Sequence, residues 1–380
     1  MFERFREIVD NRHLYAGEWQ AKTRKPVVGY LCGYVPEEIL YAAGILPVRI
    51  LGGHESSLLA DAHVAGQFCA MCRDIMSQGL EGKYSYLDGI THGMSCIHIR
   101  QVFNSWEEHL PVKFSHFLFV PREVGRRYAA PLFIDEIKLF KRSVEEWTGK
   151  EILTADLDNA IEIYNTNRRL MRQIYEYRKQ DPPLFSGSEA MAMVLADQMM
   201  DKDEHNKLLE EILEKLPDRK DGPEPGIRLM LTGGETDSFE VTDTLESLGA
   251  NVVIDENCAG VNYFWNDVIP GGDRLEAIAR RYLDRPRCPT KDSSDRVRTG
   301  HVLQLAGEYN VQGAVVALIK GCEPHGFDNI PIMNMLEEHG IPSRQFEFGA
   351  GVPDESFRLG AEEFLNKIRV GAGPEQGTVS

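Results

Sequence analysis

The chain has 380 residues, of which 42% are hydrophobic and 27% are charged, and its formal net charge at pH 7 is −17. This length exceeds what one hydrophobic core usually serves, so two or three domains are expected. The negative charge argues against nucleic acid as the main partner, and no uncharged apolar run approaches the roughly 18 residues that a membrane span needs.

The first 130 residues alternate between helix-like and strand-like patterns. Residues 4–23 have the apolar spacing of a helix, and the first 20 residues lack the apolar stretch of a secretion signal, so a cytoplasmic location is expected. Strands are predicted at residues 27–31, 46–51, 86–91 and 114–120, and helices at residues 36–43 and 96–106. This alternation predicts an N-terminal α/β domain over residues 1–130.

The pattern then changes to long amphipathic stretches with hardly any strand signal. We predict a helical domain and linker over residues 131–222. A second α/β domain is predicted over residues 223–380, with strands beginning near residues 227, 252, 314 and 343 and a late helix at residues 331–339. The predicted fold class is α/β, with two Rossmann/flavodoxin-like parallel-sheet domains and a helical insert between them.

Seven cysteines are spread along the chain, and without a secretion signal a disulfide framework is not expected. Cys96 and Cys322 each follow a predicted strand and precede a helix, which is where parallel α/β folds place their ligands. Cys69 or Cys72, from a Cys-x-x-Cys segment, could add a third thiolate. Three thiolates suit an iron-sulfur cluster with one open iron, while a zinc site, a redox pair and simple burial remain open.

The other three cysteines, at positions 32, 258 and 288, are interpreted as small packed residues or pocket lining. Gly233 and Gly234 follow a strand, but the chain contains neither Gly-x-Gly-x-x-Gly nor Gly-Lys-Ser/Thr. We therefore expect that any ATP used is bound by a partner.

Several segments resemble the family of benzoyl-CoA reductases and 2-hydroxyacyl-CoA dehydratases, and the resemblance covers nearly the whole chain. The segments are Val28 to Gly44, Phe68-Cys69-Ala70-Met71-Cys72-Arg73-Asp74, Ser95-Cys96-Ile97-His98-Ile99-Arg100-Gln101, Val252 to Phe264, Arg285-Pro286-Arg287-Cys288-Pro289-Thr290-Lys291-Asp292 and Gly321-Cys322-Glu323-Pro324-His325. The Cys-x-x-Cys-Arg-Asp, Cys-x-His-Ile-Arg-Gln and Arg-Pro-x-Cys-Pro-Thr-Lys-Asp forms look most like the ATP-dependent benzoyl-CoA reductase branch.

The resemblance implies a subunit of a hetero-oligomeric oxidoreductase of anaerobic aromatic degradation. It assigns a 4Fe-4S cluster to Cys69, Cys96 and Cys322, with Cys72 as the alternative ligand or a neighbouring thiol. The implied partners are a homologous cluster-carrying subunit, ATPase subunits that hold ATP and a further cluster, and reduced ferredoxin. The implied reaction is two-electron reduction of the benzoyl-CoA ring to a cyclic dienoyl-CoA.

Four further residues are candidates for the pocket. His98 and Glu37 are predicted to be catalytic, and Tyr34 to bind substrate, because each lies near a proposed ligand or in the first strand-helix turn. Asn262 is also predicted to bind substrate, and it stands near a position where relatives often have Arg. This departure leaves open an electron-relay or scaffold subunit without its own substrate site, whose partner holds the substrate. A radical 2-hydroxyacyl-CoA dehydratase subunit is the other alternative.

Overall fold

The first parallel sheet occupies the N-terminal part of the chain. A computed structural model describes residues 1–54, 58–292, 296–349 and 353–371. The strands are β1 (Val27–Tyr30), β2 (Leu46–Arg49), β3 (Gly89–Gly93) and β4 (Phe114–Leu118), and they lie in the order β2-β1-β3-β4. The helices are α1 (Glu3–Asp10), α2 (Arg12–Thr23), α3 (Glu37–Ala42), α4 (Ala70–Leu80) and α5 (Ile97–His109). The single helix predicted at residues 4–23 is divided at Asn11, whose backbone leaves helical geometry.

Four helices follow, as the sequence predicts for this region. They are α6 (Ala129–Thr148), α7 (Thr154–Glu176), α8 (Gly187–Asp197) and α9 (Lys202–Lys215). Local capping fixes two of their starts, because Ser186 exchanges hydrogen bonds with Glu189 at α8 and the Asp201 carboxylate accepts the first free N–H groups of α9.

The second sheet repeats the topology of the first. Its strands are β5 (Ile227–Gly233), β6 (Ala250–Glu256), β7 (Gly313–Ile319) and β8 (Ser343–Phe348), in the order β6-β5-β7-β8 and all parallel. Its helices are α10 (Phe239–Ser247), α11 (Arg274–Asp284), α12 (Val297–Glu308), α13 (Glu323–Glu338) and α14 (Glu355–Gly371). The helix predicted after Cys322 is confirmed as α13, but the start predicted at residue 331 was wrong, since α13 begins at Glu323 and continues through Pro331.

The predicted α/β class is confirmed by this pair of four-stranded parallel sheets. In each sheet the chain order reverses between the first and third strands, and the carboxyl ends of such strands border the usual ligand crevice of this fold. In the described part of the chain, no helix is both long and apolar enough to cross a membrane.

The hydrophobic cores mix segments that are distant in the chain. Ile278 and Tyr282 of α11 pack with Tyr30 of β1 and Phe133 of α6 in one cluster. Phe5 of α1 belongs instead to the cluster that surrounds the second sheet. The two sheets are thus joined by shared packing, and the domain boundaries proposed from the sequence remain a prediction.

Candidate metal centre

One cavity brings together all seven cysteines of the chain. Its volume is about 100 Å³, and every cysteine on its wall is a free thiol. Apolar side chains, among them Leu31, Met71, Ile99 and Ile319, make up much of the remaining wall. Cysteines from both sheets therefore share one largely apolar site.

The first wall of this cavity carries the predicted ligands Cys69, Cys96 and Cys322. Each is the residue immediately before a helix, at the start of α4, α5 and α13 respectively. Helix N-termini carry partial positive charge, which stabilises thiolates. Cys72 lies in the first turn of α4 and lines the same cavity. The structure thus brings all four predicted cysteines together, and their role as ligands remains a prediction.

The thiols of the first wall differ in acidity. A hydrogen bond from Cys72 lowers the pKa of Cys69, whereas donating that bond, together with burial, raises the pKa of Cys72. Burial raises the pKa of Cys96 and of Cys322 to about 12. Without metal, Cys69 is therefore the readiest thiolate, and binding a cation displaces protons from the others.

The second wall consists of Cys32, Cys258 and Cys288. Cys32 comes just after β1 and Cys258 just after β6, so both stand at carboxyl ends of parallel strands. Cys288 precedes a short helical turn at Pro289–Lys291, and its sulfur lies 3.3 Å from the Thr290 hydroxyl. All three line the cavity, which was one of the two interpretations made from the sequence. Cys32 and Cys258 both follow strands, as Cys96 does, and this shared position could have predicted from the sequence that the three lie together.

A wider opening of about 260 Å³ adjoins the first wall at Cys96. The predicted catalytic residue His98 lines this opening, together with Arg122 and Glu323. His98 accepts a hydrogen bond at Nδ1 from the backbone N–H of Cys69, at 3.3 Å, and its ring stacks on Phe68 with 4.6 Å between centroids. His98 is therefore fixed beside a predicted ligand and at the rim of the cavity.

A smaller space of about 20 Å³ adjoins the second wall, and Tyr34 and Asn262 both line it. The Asn262 side chain donates a hydrogen bond to Glu256 at 2.8 Å, and its backbone carbonyl accepts one from Arg285 at 3.1 Å. Arg285 also lies over the Tyr34 ring, 5.1 Å from its centre. The two predicted substrate-binding residues are close together, but Asn262 is already held by other groups.

The structure does not bring Glu37 to these spaces. Its carboxylate accepts a hydrogen bond from the Tyr263 hydroxyl at 2.9 Å, and that hydroxyl also accepts one from Lys202 at 3.0 Å. Burial raises the pKa of Glu37. Glu37 lines none of the three spaces described above, and its predicted catalytic role has no support from its position.

The cysteines of the cavity are soft sulfur donors, which limits the metals that they suit. Within residues 1–54, 58–292, 296–349 and 353–371, no group of three or more His, Cys, Asp or Glu side chains is arranged around a position for one ion. Thiolates that bind an iron-sulfur cluster bind different irons and need not converge on one point. Soft sulfur donors on an apolar wall, with three of them at helix N-termini, fit such a cluster.

Comparison with known proteins places the chain in a family. The family model described as "2-hydroxyglutaryl-CoA dehydratase, D-component" matches residues 32–368, and the chain belongs to this family. The resemblance to benzoyl-CoA reductases and 2-hydroxyacyl-CoA dehydratases is therefore confirmed.

The relatives of this chain include subunits named as dehydratases and a subunit named as a reductase. The chain is 25% identical to the lactoyl-CoA dehydratase beta subunit of Anaerotignum propionicum, over 97% of this chain and 98% of that protein. It is 22% identical to a benzoyl-CoA reductase subunit of Thauera aromatica, over 88% of each chain. It is 23% identical to the (R)-2-hydroxyglutaryl-CoA dehydratase beta subunit of Acidaminococcus fermentans, over 90% of this chain and 92% of that protein. All three are named as enzyme subunits, two of dehydratases and one of a reductase.

Proposed function

We propose that this chain is the cluster-bearing subunit of an ATP-dependent, ferredoxin-fed benzoyl-CoA reductase. The observation that supports this most is the convergence of all seven cysteines on one largely apolar cavity between two parallel sheets. Cys69, Cys96 and Cys322 are the proposed ligands of a 4Fe-4S cluster, with Cys72 beside them. When bound, such a cluster supplies electrons at low potential and one iron open to a further ligand.

The chain's own residues have three tasks in this proposal. The apolar wall, including Leu31 and Ile319, keeps water away from the reduced site. His98 holds the backbone of Cys69 through the hydrogen bond at its Nδ1 and is the proposed proton donor at the rim. Arg122, on the same rim, is the proposed contact for the phosphates of coenzyme A.

The partners follow from what the chain would need. A homologous cluster-carrying protein would complete the catalytic module. ATPase subunits would bind ATP and a further cluster, because no phosphate-binding motif was found in the sequence. Reduced ferredoxin would supply electrons to those subunits.

Two alternative functions have specific support. Relatives named as dehydratase subunits favour a radical 2-hydroxyacyl-CoA dehydratase, which removes water without net reduction. The second wall favours an electron-relay subunit without its own substrate site, because Cys32, Cys258 and Cys288 add three thiols beyond those that one cluster is assigned. Thiols on both walls would allow a larger cofactor that stores more electrons.

The first experiment measures iron and sulfide, with low-temperature EPR, on the anaerobically purified complex after reduction with dithionite. Wild type is compared with Cys322→Ser on the first wall and Cys258→Ser on the second. The matched control is Met71→Leu, an apolar exchange on the same cavity wall. Loss of signal in Cys322→Ser alone supports one cluster on the first wall, and loss in both variants supports a cofactor that spans both walls. Full iron content in both variants would overturn the proposal that this chain binds the cluster.

The second experiment counts ATP hydrolysed per product formed. Stoichiometric ATP use with ring reduction supports the reductase, whereas catalytic ATP use with loss of water supports the dehydratase. A benzoyl-CoA photoprobe distinguishes the two enzyme hypotheses from the relay hypothesis. It would label this chain if the chain contains a substrate site, and a relay subunit would remain unlabelled.

A further inference from the structure

Three buried cations lie near the cysteines of the second wall. Arg49, Arg285 and Lys291 are each no more than 4% exposed, and all three lie close to Cys32 or Cys288. Arg49 lines the cysteine cavity itself, together with the carboxylate of Glu235. Burying a charge is costly unless an opposite charge or hydrogen bonds compensate it.

Two of these cations are bonded to neutral groups. Arg285 donates hydrogen bonds to the backbone carbonyls of Gly33 and Asn262. Lys291 donates to the carbonyl of Val120 at 2.9 Å. These carbonyls accept the hydrogen bonds but carry no negative charge of their own.

Arg49 is paired on one side only. Its Nη2 donates to both oxygens of Glu235, at 2.7 and 2.9 Å, and so connects β2 of the first sheet to the turn after β5 of the second. Its Nε and Nη1 are buried and have no acceptor among the described residues. Leaving a buried donor of a charged group unsatisfied is costly, so this free edge is suited to an acceptor that arrives with a ligand.

We propose that the free edge of Arg49 is an anion-binding subsite of the cysteine cavity. It donates hydrogen bonds to a small sulfur anion, of the kind that a sulfide of the resident cofactor presents, and Arg285 and Lys291 add long-range attraction. The proposal rests on the proposed function for the identity of that anion. The subsite itself rests on the half-paired guanidinium in the cavity wall.

The first test uses metal-free protein under anaerobic conditions, with hydrosulfide as the probe and chloride at equal ionic strength as the reference. A ligand that binds only the folded state stabilises it by RT ln(1 + L/Kd), where L is the free ligand concentration, and so raises the melting temperature as L rises above Kd. The melting temperature of wild type is expected to rise with hydrosulfide. Arg49→Met is expected to need an at least tenfold higher hydrosulfide concentration for the same rise. The control is Arg274→Met, which removes a surface cation paired with Asp158. Equal responses of wild type and Arg49→Met would overturn the subsite.

Two further variants, Glu235→Gln and Arg49→Lys, test the charge of the subsite. Glu235→Gln removes the competing carboxylate and is expected to strengthen the stabilisation by hydrosulfide. Arg49→Lys keeps a positive charge and is expected to retain part of the stabilisation that Arg49→Met loses. In the iron-loaded complex, the midpoint potential is expected to become more negative in Arg49→Met and less negative in Glu235→Gln. A residue that only supports packing would not shift the potential in opposite directions.

The two proposals fail in different ways. If the complex contains no iron but hydrosulfide stabilises wild type and not Arg49→Met, the cluster proposal falls and the anion subsite stands. If iron binds but neither variant changes the potential or the response to hydrosulfide, the subsite falls and the cluster proposal stands.

Discussion

Cys96 and Cys322 occupy equivalent positions in the two halves of the protein. Each immediately precedes the helix that follows the third strand of its sheet, β3 for Cys96 and β7 for Cys322. Both strands lie beside the point at which chain order reverses, where this fold places its ligands. The two sheets therefore present matching edges to one cavity.

The first prediction concerns the position of Cys322 before α13. Serine is a preferred residue there and cysteine is not, so Cys322→Ser is expected to leave metal-free protein as stable as wild type or more stable, by up to about 1 kcal/mol. Cys322→Ala is expected to be less stable than Cys322→Ser. Urea denaturation of metal-free protein measures both. A large loss of stability in the serine variant would show that the thiol has a structural role of its own.

The second prediction concerns Arg298, which lies between two buried carboxylates. Its Nη2 donates to Glu256 at 2.6 Å, its Nη1 donates to Asp328, and its side chain is 2% exposed. Arg298→Met leaves both carboxylates without their buried partner and is expected to destabilise the protein by roughly 3–5 kcal/mol. The matched control is Arg296→Met, because Arg296 contacts the same Asp328 at 3.5 Å but is 53% exposed.

The control is expected to change the free energy of unfolding by less than about 1 kcal/mol, as is usual for exposed ion pairs. Urea denaturation of both variants makes the comparison. Similar losses for the two arginines would contradict the importance assigned to burial.

The third prediction concerns the ion pair between His54 and Asp237. His54 Nε2 lies 3.2 Å from Asp237 Oδ1. Burial opposes charge on His54, but attraction to Asp237 outweighs it and raises the pKa of His54 to about 9. Because the folded pKa exceeds the unfolded value of about 6.5, the stabilisation is complete below pH 6.5 and is lost as pH rises through 9.

The contribution of this pair is on the order of 1–2 kcal/mol after allowance for solvent screening. His54→Gln is expected to be less stable than wild type at pH 6 and equally stable at pH 10, as measured by urea denaturation at each pH. A difference between the two proteins that does not change across this range would refute the assignment.

The fourth prediction concerns Gly233 at the carboxyl end of β5. Its φ is +102°, and a Cβ atom there would lie 2.3 Å from the carbonyl oxygen of Ala317 on β7. Gly233→Ala is expected to destabilise the protein by more than about 3 kcal/mol. The added Cβ would push β5 away from β7, and alanine would be strained at this positive φ. Gly300 within α12 has open space, and Gly300→Ala is expected to stabilise by about 0.5–1 kcal/mol. Thermal melting of both variants tests these opposite signs.

Much of the fold could be predicted from the sequence because its strands are short, buried apolar runs between helices of clear periodicity. The division at Asn11 was missed because neither proline nor glycine marks it. A helix was predicted directly after Cys322, and α13 does begin at Glu323, with Pro324 in the opening turn, where proline is tolerated. The separate prediction at residues 331–339 covered only the second half of this helix, which continues through Pro331.

The candidate site was predictable where one local rule applied. The rule that ligands follow parallel strands identified Cys96 and Cys322, and it applies equally to Cys32 and Cys258. The pairing of Arg49 with Glu235 could not be predicted, because it joins residues of two separate sheets that no local pattern connects. Such a pair depends on how the two sheets pack against each other, and the spacing of apolar residues along the chain does not reveal that packing.

The sharing of one cysteine cavity by both sheets also constrains how the protein is made. Translation produces Cys32, Cys69, Cys72 and Cys96 well before Cys258, Cys288 and Cys322, so the nascent first sheet carries thiols of a cavity whose remaining lining residues have not yet been synthesised. Domains tend to fold as they emerge, N-terminal first. The cavity can therefore close only once β7 and Cys322 have been synthesised and the second sheet has packed against the first.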